Sequence, residues 1–165
     1  MSATISNYQK ELIERLGVFY EKSGMPPVTA RVLALMLVAD NTYFSFADIQ
    51  EHLNISKSST SSALNTLLAT KHIEYITRPG DRKRYFRSCL ANWEKEMQLK
   101  IEGLASMSSL YKEVLGQRPS QTGEFNQALR ELSDFLDFFK NEIPGMFERW
   151  NAHKKQKQSE SPPLQ

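Results

Sequence analysis

The N-terminal part of the chain combines an apolar stripe with a fully apolar run. The stripe recurs every three or four residues between positions 5 and 22, which predicts an amphipathic helix. Its members are Tyr8, Leu12, Leu16 and Phe19. Gly24 is suited to cap this helix at its C-terminal end, because glycine tolerates the left-handed conformation needed there. Residues 28–39 are apolar on nearly every side, which predicts a second helix buried in a core.

Two short helices joined by a tight turn are predicted between residues 45 and 68. Ser45, with Asp48 three residues later, forms a variant of the capping box and opens the first. Asn54 and Ile55 form the turn, and Ser56 is a suitable N-cap for the second helix. The buried stripe of that second helix is predicted to be Thr60, Ala63, Leu64, Leu67 and Leu68. The positions left outside are Lys57, Ser58, Ser61, Ser62 and Asn65.

A basic hairpin follows at residues 71–89. Pro79 and Gly80 supply the turn between its two strands, and Asp81 favours a loop. Residues 43–45 are predicted to form a short strand that pairs with this hairpin. Helix, turn, helix and basic hairpin is the order of elements in a winged helix-turn-helix.

The C-terminal part is predicted to contain two long helices and a tail. Asn92 caps a helix that ends near Gly116, and Thr122 starts another. The apolar stripe of the last helix contains Phe125, Leu129, Leu132, Leu136, Phe139 and Ile143. Pro144 is predicted to break that helix. Residues 151–165 are polar and end near Ser-Pro-Pro, so they are predicted to be a disordered tail.

The charge distribution supports a nucleic-acid partner. The chain has 165 residues and a net charge of only +2, and 40% hydrophobic residues are enough for a packed core. Between residues 54 and 87, however, seven Lys or Arg stand against two acidic residues, a local balance of +5. Positive charge is therefore concentrated on the hairpin, as nucleic-acid binding requires. A solvated basic surface without function is the alternative.

Several classes of protein are disfavoured. Cys89 is the single cysteine, so no internal disulfide can form and a reducing compartment is expected. The polar first ten residues are unlike a signal peptide, and the apolar run at 32–39 is too short to span a bilayer. We therefore expect a cytoplasmic protein. The three histidines and Cys89 lack metal-ligand spacing, and no convergent catalytic set is present. Neither an enzyme nor a metal or other cofactor is predicted.

These motifs resemble the MarR superfamily, and most closely its GbsR-like branch. The resemblance rests on Gly24-Met25-Pro26-Pro27 before the buried helix, on the helix-turn-helix, and on the wing sequence from Arg78 to Phe86. It covers about residues 8–90, and the wing motif is its most specific part. The resemblance implies a mainly α (α+β) fold, with a winged helix-turn-helix head and long N- and C-terminal dimerisation helices. The expected regions are residues 1–24 in the dimerisation part, 25–90 as the DNA-binding domain, 91–150 as the C-terminal dimerisation region, and 151–165 as the tail.

The resemblance also implies a homodimer on a pseudo-palindromic operator, and transcriptional repression relieved by a small molecule. The second helix would lie in the major groove. Asn65 could read adenine through its amide, and the serine hydroxyls suit several bases. Lys57 would meet phosphate, while the wing would contact phosphates or enter the minor groove; strand alternation favours Arg82 and Arg84 over Lys83. The candidate DNA-binding residues are Lys57, Ser58, Ser59, Ser61, Ser62, Asn65, Arg78, Arg82, Lys83 and Arg84.

Two alternatives stay open at this point. A winged helix could serve as a protein-interaction or scaffolding module without sequence-specific DNA binding, although such a module has no need of three consecutive cations in its wing. The last helical segment also carries an aromatic cluster, which either packs a dimer or forms an effector pocket that holds a cation over its rings. The cluster consists of Phe135, Phe138, Phe139, Phe147 and Trp150.

Overall fold

The computed structural model of the protein describes residues 5–160, with side chains as far as Lys157. The chain divides into two compact units between Trp93 and Glu94. The first unit contains α1 (Asn7–Lys22), α2 (Pro27–Val38), β1 (Phe44–Ser45), α3 (Phe46–Leu53), α4 (Lys57–Ala69), β2 (Ile73–Thr77), β3 (Arg84–Ser88) and a short 3-10 helix at Leu90–Asn92. Helices α5 (Trp93–Gln117) and α6 (Gly123–Glu160) follow. The predicted fold class, mainly helical with a small antiparallel sheet, is confirmed.

Helix α2 is the centre of the first unit. It begins with a proline in its first turn, where a backbone N–H would have no acceptor within the helix, so the lack of this N–H costs nothing. Most of its apolar residues are then buried, and Val32, Ala34 and Leu35 are fully buried. This burial matches the uninterrupted apolar run of the sequence and forms the core against which the helix-turn-helix and the hairpin pack.

Helix α1 packs on α2 through a face that the apolar stripe predicts only in part, since Leu16 of the stripe contacts the core. Its buried residues are Ile13 and Gly17, whereas Tyr8 and Phe19 of the stripe remain exposed. A Cβ atom at position 17 would lie 3.0 Å from Cγ of Arg31, so the glycine allows the two helices to approach closely. The Arg31 guanidinium then forms ion pairs with two acidic residues of α1, Glu14 and Glu21.

The predicted caps of the helix-turn-helix are present. The Ser45 hydroxyl accepts a hydrogen bond from the N–H of Asp48, and the Asp48 carboxylate accepts one from the N–H of Ser45. Asn54 ends α3 in the left-handed conformation, with φ of 49°, which asparagine adopts more readily than most residues. Ser56 caps α4 by accepting from the N–H of Ser59. These local bonds define the turn between α3 and α4.

The three strands form an antiparallel sheet in the order β1-β3-β2. Residues opposed across β2 and β3 include Tyr75 with Phe86 and Thr77 with Arg84. Phe44 of β1 lies opposite Phe86 of β3, and both side chains are buried. The predicted strand at residues 43–45 therefore exists and attaches the hairpin to the start of α3.

A pair of buried serines joins α5 to α6 in the second unit. Ala105, Ser108 and Ser133 are buried, together with Leu136 of the predicted stripe. The Ser133 hydroxyl donates to the carbonyl oxygen of Ser108 at 3.2 Å, and the two hydroxyl oxygens are 3.1 Å apart. Hydrogen bonding between the two residues satisfies their buried hydroxyls.

Two predictions for the C-terminal part are wrong. Helix α6 continues through Pro144 instead of ending there. A proline removes a single backbone donor, and burial of Ile143 directly before it holds this part of the helix in place. The predicted tail is also helical from residue 151 to residue 160. Its Lys and Gln residues are good helix formers despite their polarity, and Lys154 pairs with Glu94. Residues 161–165 lie outside the described residues.

Within the part of the chain that the structure describes, no helix is both long enough and apolar enough to cross a membrane.

Candidate nucleic-acid interface

The outer face of α4 carries hydroxyl and amide groups. Ser58, Ser61, Ser62 and Asn65 are exposed, as is Lys57 at the start of the helix. The hydroxyl oxygens of Ser58 and Ser59 lie 3.0 and 2.8 Å from that of the capping residue Ser56. Ser59 is half-buried. The first serines of the run are therefore engaged in starting the helix, whereas Ser61, Ser62 and Asn65 lie further along the exposed face.

The wing, which we define as residues 78–84, begins with a tight turn. The N–H of Asp81 donates to the carbonyl oxygen of Arg78 at 3.1 Å. Pro79 occupies the second position and Gly80 the third, where φ is +79°. A proline followed by a residue of positive φ is the arrangement of a type II turn, and a glycine at the third position adopts it without strain.

Asp81 braces the rest of the wing. Its carboxylate accepts the N–H of Lys83 at 2.9 Å and the hydroxyl of Tyr85 at 2.7 Å. The Lys83 N–H, followed by the Tyr85 hydroxyl, lowers the pKa of the Asp81 carboxyl below its ordinary value. The same bond to Asp81 raises the pKa of Tyr85. One acidic residue in a basic loop thus ties the backbone of Lys83 to the side chain of Tyr85.

The arginines of the hairpin differ in their surroundings. The Arg78 guanidinium lies over the ring of Tyr85, with 4.3 Å from its carbon to the ring centroid. Arg84 lies over Tyr75 at 4.9 Å. Arg87 instead forms an ion pair with Glu74. Because a carboxylate balances its charge, Arg87 is the least suited of the three to attract a phosphate.

A groove of about 410 Å³ lies between α4 and the wing. It is the place where predicted residues from separate parts of the sequence meet: Ser61 and Asn65 of α4, and Lys83 and Arg84 of the wing. The remaining lining residues are Ser45, Phe46, Ala47, Leu64, Leu68 and Phe86. Hydroxyl, amide and cationic donors around one concave surface suit a nucleic acid, whose phosphates and base edges supply acceptors.

Other predicted residues lie outside this groove. They are Lys57, Ser58, Ser59, Ser62, Arg78 and Arg82. Strand alternation does not govern the three consecutive cations, because β3 begins only at Arg84 and leaves Arg82 and Lys83 in the loop. Lys83, which alternation disfavoured, therefore lines the groove beside Arg84. Arg82 is exposed on the wing loop.

The sequence did not reveal the aromatic and acidic supports of these cations. The cationic residues contact the rings of Tyr75 and Tyr85 and the carboxylate of Asp81. In the sequence, each of these three residues looks like an ordinary strand or loop residue. The hairpin register contains a usable signal, because it places Tyr75 diagonally across from Arg84. Such diagonal pairs are within reach of aromatic and long side chains.

The aromatic cluster of α6 is largely exposed at two of its positions. Phe135 and Phe138 expose 58% and 62% of their surfaces. The ring of Phe135 stacks on that of Phe139, with centroids 6.1 Å apart. As for metals, residues 5–157 contain no group of three or more His, Cys, Asp or Glu side chains placed to hold an ion.

Two family models match consecutive parts of the chain. Residues 23–84 match the model described as the MarR family. Residues 91–153 match the model of MmpR5-like MarR family transcriptional regulators. Both are models of the MarR family, and together they match most of the chain. The matches support a DNA-binding transcriptional regulator, and the matched family is one of regulators rather than enzymes.

A curated relative and a solved structure are also similar to the chain. The HTH-type transcriptional regulator MmpR5 of Mycobacterium tuberculosis is 26% identical over 144 residues, which cover 86% of each chain. A crystal structure described as a transcriptional regulator superposes with a TM-score of 0.70 and 24% identity, covering 88% of this chain and 99% of that one. The structural likeness shows the fold, and the groove between α4 and the wing lies within the part matched to the MarR family.

The brace formed by Asp81 is predicted to depend on pH in one direction. Because the folded protein lowers the pKa of Asp81, the brace is complete above the ordinary aspartate pKa of about 3.9. It is lost as the pH falls through the lower pKa of the folded state. In an NMR titration, the amide signal of Lys83 should therefore move with a midpoint below about 3.9. The variant Asp81→Asn should abolish this step. A midpoint at or above the ordinary value would contradict the brace.

Proposed function

We propose that this regulator is a homodimeric repressor that binds a pseudo-palindromic operator and leaves it when a small-molecule effector binds. Dimerisation and relief by an effector are typical of the MarR family. The observation that carries the DNA-binding part is the groove that places Ser61 and Asn65 beside Lys83 and Arg84. Side chains suited to base edges and side chains suited to phosphate are adjacent there, and sequence-specific binding requires both kinds of contact.

Helix α4 is proposed to read bases in the major groove. Asn65 offers a donor and an acceptor on one amide, which matches the edge of adenine. Ser61 and Ser62 add hydroxyls that suit several bases. Lys57 lies in the first turn of α4, where its ammonium and the helix N-terminus can both meet a phosphate. The face thus combines one discriminating amide with several tolerant hydroxyls.

The wing is proposed to supply affinity that does not depend on sequence. Arg82, Lys83 and Arg84 are exposed and consecutive, and they account for much of the local excess of positive charge. Contacts of such side chains with the phosphate backbone release counterions from DNA. A protein-docking module would lack this dependence on salt, so the salt slope separates DNA binding from the scaffolding alternative.

The wing is tested by removing two of its cations. Arg82→Ala combined with Arg84→Ala should weaken binding to every duplex, and it should lower the slope of log K against log salt by about 0.9 for each phosphate that the variant no longer neutralises. Gel-shift titrations over a range of salt concentrations measure the slope. Lys100→Ala with Arg130→Ala, two exposed cations of the second unit, serves as the matched control. An unchanged slope in the wing variant would rule out this role.

The recognition face is tested by comparing two kinds of DNA. Asn65→Ala or Ser62→Ala should cost on the order of 1–3 kcal/mol on an operator selected from a random duplex library. Each should cost little on random duplexes, because the missing hydrogen bonds would be made to bases rather than to phosphate. Equal losses on both kinds of DNA would show that α4 does not read bases.

A homodimer is proposed because each unit exposes apolar side chains. Phe19 on α1 is 63% exposed, and Leu132 and Phe135 on α6 are 44% and 58% exposed. Apolar side chains that recur along one helix mark a surface that is favourably removed from water. Two heads joined in this way could bind two half-sites about one helical turn apart.

The dimer is tested with charges on the exposed part of α6. Leu132→Asp with Phe135→Asp should give a folded monomer by light scattering, because an unpaired carboxylate is costly in an apolar contact. Operator affinity should fall at least about tenfold, since linked heads gain avidity. Asn141→Asp, at an exposed polar position, is the control. Leu136→Asp is unsuitable, because Leu136 is buried within the unit. A folded monomer that retains full affinity would refute the proposal.

We also propose an effector site, a family branch and a cellular location for this regulator. The aromatic residues of α6 favour dimer packing, with a pocket for a cationic effector as the alternative. The GbsR-like branch is a prediction from the sequence of the winged head. The match of residues 91–153 to the MmpR5-like model favours an MmpR5-like second unit instead. A regulator of transcription acts where the chromosome is, so we expect it in the cytoplasm.

A further inference from the structure

We propose that Tyr75 is a positioning residue for DNA binding, which acts by holding the Arg84 guanidinium beside the recognition helix α4. The inference rests on the proposed role of the wing. Tyr75 lies in the middle of β2 and exposes 48% of its surface. A half-exposed aromatic side chain on a short strand gains little from burial. Its contact with Arg84 suggests a second role for the ring.

The sheet places the two side chains together. Thr77 lies opposite Arg84 and Tyr75 opposite Phe86, so Tyr75 is the diagonal neighbour of Arg84 on the same face of the hairpin. The guanidinium carbon of Arg84 is 4.9 Å from the Tyr75 ring centroid. This distance is within the range in which the ring attracts a cation.

The Arg84 guanidinium remains available to DNA. Its five N–H donors spread around one plane, so an arginine beside a ring still has donors that point away from the ring. Arg84 also lines the groove that contains Ser61 and Asn65. Tyr75 therefore holds a charge next to the groove without occupying the groove itself.

The neighbouring arginines show why Arg84 is the one that needs this support. Arg87 is held by its ion pair with Glu74, and Arg78 by the ring of Tyr85. Among the side chains that the structure describes, Arg84 has no carboxylate within ion-pair distance. Its positive charge is therefore not balanced by an ion pair, as a phosphate contact requires. An arginine that is already ordered also loses less conformational entropy when it binds.

A double-mutant cycle tests the inference on the full-length protein. The probe is a fluorescently labelled mixed-sequence duplex of about 30 base pairs, long enough for two half-sites. Tyr75→Leu keeps an apolar side chain but removes the ring, and it should weaken binding about two- to fivefold, the effect of removing one exposed cation–π interaction. Tyr75→Phe, which retains the ring, should bind like the parent. In a background of Arg84→Ala, Tyr75→Leu should cause no further loss.

Two outcomes would overturn the inference. One is an equal loss from Tyr75→Leu with and without Arg84, which would mean that Tyr75 acts on the fold or on DNA independently of Arg84. The other is an unchanged affinity in Tyr75→Leu. Failure of the parent protein itself to bind the duplex is a different result, since it would contradict the DNA-binding role of the wing and this inference with it. Circular dichroism of each variant checks that the fold is intact.

Discussion

A buried pair of aromatic side chains, Phe44 on β1 and Phe86 on β3, joins the wing to the helix-turn-helix. The two residues are directly opposite each other in the pairing of β1 with β3, and both lie in the core of the first unit. Ser45 follows Phe44 directly and caps α3, so one short strand connects the wing to the start of the helix-turn-helix. The groove between α4 and the wing depends on this attachment, because its cations stand on β3 and on the loop before it. Without the pair, the hairpin would be a two-stranded ribbon, which is marginally stable in water.

The wing contains closely spaced positive charges whose side chains and backbone are positioned by local contacts. Like charges on adjacent residues repel one another, and long side chains lose entropy when they are confined. Here the supports are local: Asp81 holds the backbone of Lys83, and aromatic rings lie beneath Arg78 and Arg84. None of these supports neutralises Arg84 with an ion pair among the described side chains. The arrangement therefore combines order with an available charge, which favours binding to a phosphate backbone.

Local chemistry made much of the head predictable from sequence. The capping residues Ser45 and Ser56 and the turn at Pro79-Gly80 act within a few residues of themselves, so their patterns could be read directly. The buried helix α2 was equally clear from its apolar run. The prediction that α6 ends at Pro144 was wrong because it depends on packing between distant residues. Helix α6 passes Pro144 because tertiary contacts outweigh one missing donor.

The candidate site was predictable as a set of residues, but its geometry was not. The sequence identified Asn65 and the wing cations by type and order. It could not show that Lys83 lies in a loop where alternation does not apply, nor that Tyr75 reaches Arg84 across the hairpin. Both facts depend on where β3 begins and on the register of its pairing. Charge and composition thus indicated the candidate interface, whereas strand register determines which of its side chains share the groove.

Hydrogen–deuterium exchange of the full-length protein, with and without duplex DNA, tests the central claim most directly. If α4 and the wing bind DNA together, exchange should slow in residues 57–65 and in residues 78–84 on addition of DNA, because both segments become covered. The effect should weaken in high salt, since phosphate contacts supply much of the affinity. Slower exchange confined to residues 94–157, with no change in α4 or the wing, would contradict the account.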